Sequence, residues 1–285
     1  MTFFRRHFFI FDEIIVLRIL NIFFLFSFFA VSAQQQLPFD SLKLKDTKEL
    51  LADDYGNIYL YKNKDFSFTK YDSLGKQKGK LLLTLPFKIQ SVQNPLSIPT
   101  FSENAQELKF FDQNLNEIQK INFREKFGQI KMVFAEDLQQ IWLLDESSKR
   151  LLKYNFRDDK IINAYPFDID FENIIDFLVD QQKVYVLSSK TFTVYDFNAR
   201  KQKEIPINSG RRIVRENQNI LVITQKEILL LENEELNPIF QDENAQIVDK
   251  NSASYFVIRD NKLYLYPIQK MPRKKQIPTK YNRGF

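Results

Sequence analysis

The chain has 285 residues, a net charge of +5 and no cysteine, which excludes disulfides, thiol nucleophiles and thiolate metal sites. Its one histidine is His7, so everything downstream lacks an imidazole base and the usual zinc and copper ligand sets. Residues 1–33 carry +1 (three basic, two acidic) and residues 269–285 carry +6, so the body between them is near −2, without the basic face that nucleic-acid binding needs.

The first element is a leader. Arg18 precedes an apolar run, Ile19 to Val31, whose only polar members are Asn21 and Ser27. Val31-Ser32-Ala33 then presents small residues at the two positions a signal peptidase reads, before a Gln34-Gln35-Gln36 break. This pattern predicts a cleaved signal peptide over residues 1–33. A spanning helix would need about 20 apolar residues, and Arg18 blocks extension upstream. Asp12 and Glu13 are out of place in such a head, and one reading puts the natural start near Val16. The expectation is a periplasmic or secreted protein.

After the leader, no helical periodicity is sustained, and short β-branched and aromatic runs alternate with polar turns. The pattern repeats. Asp53-Asp54-Tyr55-Gly56-Asn57-Ile58-Tyr59-Leu60 leads to Lys70-Tyr71-Asp72-Ser73-Leu74-Gly75. Later copies are Glu136 to Leu143 with Tyr154-Asn155, and Val179 to Val186 with Tyr195-Asp196. Weaker ones are Glu216 to Val222 with Leu231-Glu232, and Asn251 to Val257 with Tyr266-Pro267. A second copy keeps Phe111-Asp112 but has Pro95 and Pro99 where its second strand should run. The aromatic-Asp position thus recurs at 71, 111, 154, 195, 231 and 266, a period of about 40 residues. That period predicts an all-β propeller of about six four-stranded blades over residues 34–268.

Within each copy, Asp54 or Asp137 is read as starting the turn between the first two strands, with Gly56 left-handed in copy one. Tyr71-Asp72 ends the third strand, with Asp72 capping the turn that follows. Trp142 is read as core. The last copy lacks a clear fourth strand, and Phe39 to Leu44 is expected to supply it and close the ring.

These copies resemble the NHL-type and regulator-type propeller repeats, of the form Asp-x-x-Gly-Asn-Ile-aromatic-aliphatic followed by an aromatic-Asp-x-x-Gly turn. The resemblance runs over about residues 39–268 and is nearly complete only in copy one. It implies a fold; scaffolds, ligand sensors and a few enzymes share it.

Carboxylate groups such as Asp158-Asp159, Asp168-Asp170-Glu172, Glu232-Glu234-Glu235 and Asp242-Glu243 read as solvated turns without calcium-loop spacing. Six glycines supply no phosphate loop. No catalytic residue, metal ligand or cofactor is expected. The place left for a site is the channel, with inner strands placed near Glu49–Ala52, Ile89–Gln93, Met132–Ala135, Ile175–Leu178, Arg212–Arg215 and Ile247–Asp249. Their polar members, Gln90, Asp176, Arg212, Arg215 and Asp249, could bind a polar or anionic ligand or form inter-blade ion pairs.

Residues 269–285 combine two prolines with Lys270, Arg273, Lys274, Lys275, Lys280 and Arg283, a composition expected to be disordered when free. They are either a solvated end or a contact to an acidic partner or an anionic lipid surface. The functional expectation is a monomeric, non-enzymatic scaffold that binds another envelope protein. Alternatives are a calcium-dependent hydrolase or lactonase of the six-bladed type and a ligand-sensing domain.

Overall fold

The computed structural model describes residues 35–36 and 44–268. The expected leader and basic tail lie outside the described residues, as does all of the Phe39–Leu44 segment but Leu44. Apart from Gln35, everything described belongs to one compact unit beginning at Gln36.

Among the described residues every regular element is a strand, and the strands form six four-stranded sheets. In the first five blades the sheet order follows chain order, each strand folding back on the one before. The inner strands are Glu49–Ala52, Lys88–Ile89, Ile130–Ala135, Asp176–Asp180, Gly210–Glu216 and Ile247–Lys250. The chain is a six-bladed β-propeller.

Side-chain alternation explains why the second strands are apolar almost throughout. In a strand, neighbouring residues face opposite sides of the sheet. Ile58 and Leu60 therefore pack toward blade six, with Ile247, Phe256 and Ile258. Tyr59 and Tyr61 pack toward blade two, with Phe87, Ile98 and Phe111. The same split recurs in blade three, where Ile141 and Leu143 face blade two and Trp142 and Leu144 face blade four. Six apolar clusters result, one at each contact between neighbouring blades. Each fully buried large side chain contributes about 1.5–3 kcal/mol. The fourth strands, such as Gln77–Leu82 and Glu117–Asn122, are mostly exposed and are held chiefly by backbone pairing.

Three sequence expectations need correction. An N-terminal strand does complete the sixth blade, but it is Gln35–Gln36, ahead of Lys262–Pro267, Ser254–Arg259 and Ile247–Lys250 in sheet order; of the expected Phe39–Leu44 only Leu44 is described, outside any strand and buried between blades one and six. Fourth strands such as Gln77–Leu82 and Glu117–Asn122 are mostly exposed, so an apolar alternation is no guide to them. In blade two the inner strand ends at Ile89, short of Gln93. Pro99 sits inside the second strand, Ile98–Ser102, and has no N–H to give, so beyond Ile89 only the Gln90 N–H to Pro99 carbonyl bond continues (3.0 Å). In blade one the turn is organised by Asp53, not Asp54. Buried Asp53 accepts from the N–H groups of Tyr55 (2.9 Å) and Asn57 (2.8 Å), from Asn57 Nδ2 (2.7 Å) and from the Tyr59 hydroxyl (3.1 Å).

The outer turns follow the sequence reading. Asp72 accepts from the N–H groups of Leu74 and Lys76, and Asp112 and Asp196 do the same for their own loops. Trp142 is core, 4% exposed.

Candidate functional site

The inner strands surround a cavity of about 370 Å³ to which all six blades contribute. Its two ends differ. Where the inner strands begin, Lys88 of blade two reaches past blade three, donating to the Ile175 carbonyl at 2.8 Å and pairing with Asp176 of blade four at 3.2 Å. Arg211 of blade five donates to the Val248 carbonyl of blade six at 3.0 Å and pairs with Glu49 of blade one. Where the inner strands end, exposed Asp54, Gln93, Asn217 and Ser252 line the wall, and the cavity reaches the surface there.

Gln90, Asp176, Arg212 and Arg215 line this cavity; Asp249 does not. Each is committed to a neighbour. Gln90 donates to the Val133 carbonyl and accepts from the Ala135 N–H (2.9 Å), joining blade two to blade three. Asp176 accepts from the Ile213 N–H at 2.8 Å, joining blade four to blade five. Arg212 pairs with Asp249, which also accepts from the Ala52 N–H at 3.0 Å, so blades five, six and one meet at this carboxylate. Arg215 pairs with Asp180 of blade four at 2.9 Å. Burial pushes the Asp249 carboxyl up from the ordinary carboxylate range, against the opposing pull of Arg212.

The sequence did not single out Lys88, Gln93, Arg211 or Glu49. Gln93 donates to the Ala52 carbonyl at 3.0 Å, tying blade two to blade one. Blades three and four meet through apolar contact, with Phe134 edge-on to Phe177 at 6.4 Å. The channel-side groups thus act mainly as a belt of cross-blade bonds, which satisfies groups that burial would otherwise leave unpaired. Among the described residues no three His, Cys, Asp or Glu side chains gather to hold a metal ion.

The loops around the open mouth carry a second feature. In blades one, two and three, the loop between first and second strands presents Tyr55 (71% exposed), Leu96 (68%) and Leu138 (55%). The corresponding loops of blades four, five and six hold Gln181-Gln182, Asn217-Gln218 and Asn251-Ser252-Ala253. Each loop on one half of the rim thus displays one large apolar side chain among polar neighbours, and the loops on the other half display none.

No protein-family model matches the sequence, and no curated protein matches it either. Solved structures do share the architecture. BamB from Moraxella catarrhalis is 10% identical, over 77% of this chain and 84% of that one, with a TM-score of 0.43. A virginiamycin B lyase variant from Staphylococcus aureus, inactive and solved with quinupristin, is 10% identical over 80% and 97%, with a TM-score of 0.49. The Pan2 WD40 domain of Neurospora crassa is 9% identical over 83% and 96%, with a TM-score of 0.48. The likeness is one of architecture, and the ring itself rests on this chain's own strand pairing.

Proposed function

We propose that this chain is a non-enzymatic, exported propeller that serves as a protein-interaction scaffold in the cell envelope. The observation that carries the reading is the trio Tyr55, Leu96 and Leu138 on one half of the rim. Single exposed apolar residues are ordinary on a protein surface. Here three occupy equivalent loops of successive blades, beside the open mouth of the channel.

Their loops are also stiff. Tyr55 N–H is held by Asp53, Leu96 N–H by Asn94 Oδ1 at 3.1 Å, and the residue after Leu138 by Asp137 Oδ1 at 2.7 Å. A side chain displayed on a pre-set turn loses little freedom when a partner covers it. Export is supported by the leader pattern of residues 1–33, and the cations of residues 269–285 add a contact to an acidic partner or lipid surface. The absence of His and Cys after residue 7, and the internal pairing of the channel charges, favour binding over catalysis.

The test is chemical cross-linking in envelope fractions, comparing the full chain with a Tyr55→Ser/Leu96→Ser/Leu138→Ser variant. The scaffold reading expects one dominant partner with the full chain and its loss in the variant at unchanged thermal midpoint. Retention of that partner by the variant overturns the rim as the contact surface. Association of a chain ending at Ile268, at low and moderate ionic strength, tests the tail separately.

A further inference from the structure

The third strand of blade six ends at the open mouth. Pro267 closes that strand, and the Ile268 N–H donates at 2.8 Å to the carbonyl of Ala253, in the loop between the blade's first two strands. The adjacent Ser252 N–H donates to Asp54 of blade one at 2.8 Å. Residues 269–285 are therefore joined to the body beside the first of the three loops with an apolar side chain on display, the one that carries Tyr55.

That half of the rim also carries charge of one sign. Residues 53–57, 90–97 and 136–139, the loops between first and second strands of blades one to three, contain no Lys or Arg. Asp54 and Asp137 are exposed beside Tyr55 and Leu138. Asp54 accepts from the Ser252 N–H and Asp137 from the Gln139 and Gln140 N–H groups, and among the described residues neither has a cation within ion-pair distance. Residues 269–285 have the complementary pattern, six cations and no acid, with Met271, Ile277, Tyr281 and Phe285 interleaved. A stretch of 17 residues extends up to roughly 60 Å, about twice the diameter of a small domain, so blades one to three are within its reach.

We propose that residues 269–285 dock on this half of the rim, their cations on Asp54 and Asp137 and their apolar side chains on Tyr55, Leu96 and Leu138, as a built-in competitor for that surface. The tether holds the segment at an effective concentration of about a millimolar, so an outside partner has to displace it. Displacement frees the six cations for an acidic partner or a lipid surface. This deepens the scaffold reading; the competition rests on that reading, and the docking does not.

The probe is a fluorescein-labelled peptide of residues 269–285, its binding read by anisotropy. The receiving protein is the full-length chain with Lys270, Arg273, Lys274, Lys275, Lys280 and Arg283 all changed to Gln, which leaves the rim open. Saturable binding of one peptide per chain is expected, weakening as salt is added. The unaltered chain should bind the peptide about tenfold more weakly or worse, because its own segment holds the rim. In the Gln background, Asp54→Asn/Asp137→Asn keeps an oxygen acceptor for each turn bond and should lose about tenfold in affinity, as should Tyr55→Ser/Leu96→Ser/Leu138→Ser. Glu232→Gln/Glu234→Gln/Glu235→Gln removes exposed carboxylates from the outer hairpin of blade five, on the same face, and should leave affinity unchanged. Absence of saturable binding, equal binding by the unaltered chain, or an equal loss in the hairpin variant would overturn the inference. None of these measurements needs an envelope partner. A rim that captures its partner in cross-linking while ignoring the peptide therefore sinks this inference and leaves the scaffold reading standing.

Discussion

Arg212 of blade five and Asp249 of blade six form an ion pair from which water is excluded, the two residues being 7% and 1% exposed. Replacing Arg212 with Met strips Asp249 of its direct counter-charge and leaves Arg211 as the remaining nearby cation. Removing one member of a buried pair costs about 3–5 kcal/mol. The loss should depend on pH in a stated sense. Burial already raises the Asp249 carboxyl, and without Arg212 it rises further. A carboxyl with a raised folded pKa contributes stability that is fully present below its unfolded value, about 4, and is lost as pH rises through the folded value. Urea unfolding of both proteins between pH 4 and 8 should show the gap widening with pH. A constant gap would mean that Asp249 does not titrate in that window.

Asp53 offers a second contrast. Asp53→Ala leaves two backbone N–H groups, the Asn57 amide and the buried Tyr59 hydroxyl without their acceptor. The expected loss is about 3 kcal/mol, taken from the cost of unsatisfied buried donors. Asp137→Ala in blade three removes only the turn bonds to Gln139 and Gln140 and should cost about 1 kcal/mol. Equal losses in urea unfolding would remove the special role given to Asp53.

Stability can also be added. Gln181 and Gln182 both occupy the left-handed region, at φ 47° and 62°, in the two-residue turn between Asp180 and Lys183. Left-handed backbone costs about 1–2 kcal/mol for ordinary residues, and two-residue hairpins of this kind favour Asn-Gly. Gln181→Asn/Gln182→Gly should therefore raise stability by about 1–2 kcal/mol, read as a higher urea midpoint at unchanged slope.

Ring closure is open to a similar comparison. Gln35→Ser/Gln36→Ser leaves the backbone of the closing strand intact and should be nearly neutral. Deleting residues 34–36 exposes the edge of Lys262–Pro267 and should lower the thermal midpoint of the whole domain. If the deletion is silent, the strand does not close the ring.

The repeat was legible because burial writes it. Ile58-Tyr59-Leu60 and Val184-Tyr185-Val186 face neighbouring blades on both sides, so the apolar run survives even where turns have drifted. The aromatic-Asp step was legible for a local reason, since Asp72, Asp112 and Asp196 cap the turn two to four residues on. What stayed hidden is set by partners distant in sequence. Nothing near Lys88 announces Ile175, 87 positions away, and nothing near Glu49 announces Arg211. Four of the five polar residues assigned to the channel, Gln90, Asp176, Arg212 and Arg215, line the cavity and Asp249 does not, and the bonds all five make to neighbouring blades depend on how the ring closes. Gln35–Gln36 was missed because an outer strand needs only its backbone. Tyr55, Leu96 and Leu138 left a usable signal, a large apolar residue among turn-formers, whose meaning appears only when three blades line up.

A ring of six like sheets has near six-fold geometry, and a uniform rim would let a partner settle in any of six rotational poses. With Tyr55, Leu96 and Leu138 on three consecutive blades and amides or small polar groups on the other three, the rim matches itself only once per revolution. The disc has a fixed clock position. On the proposed scaffold reading, a partner seated on those three side chains is held off-axis and at one angle.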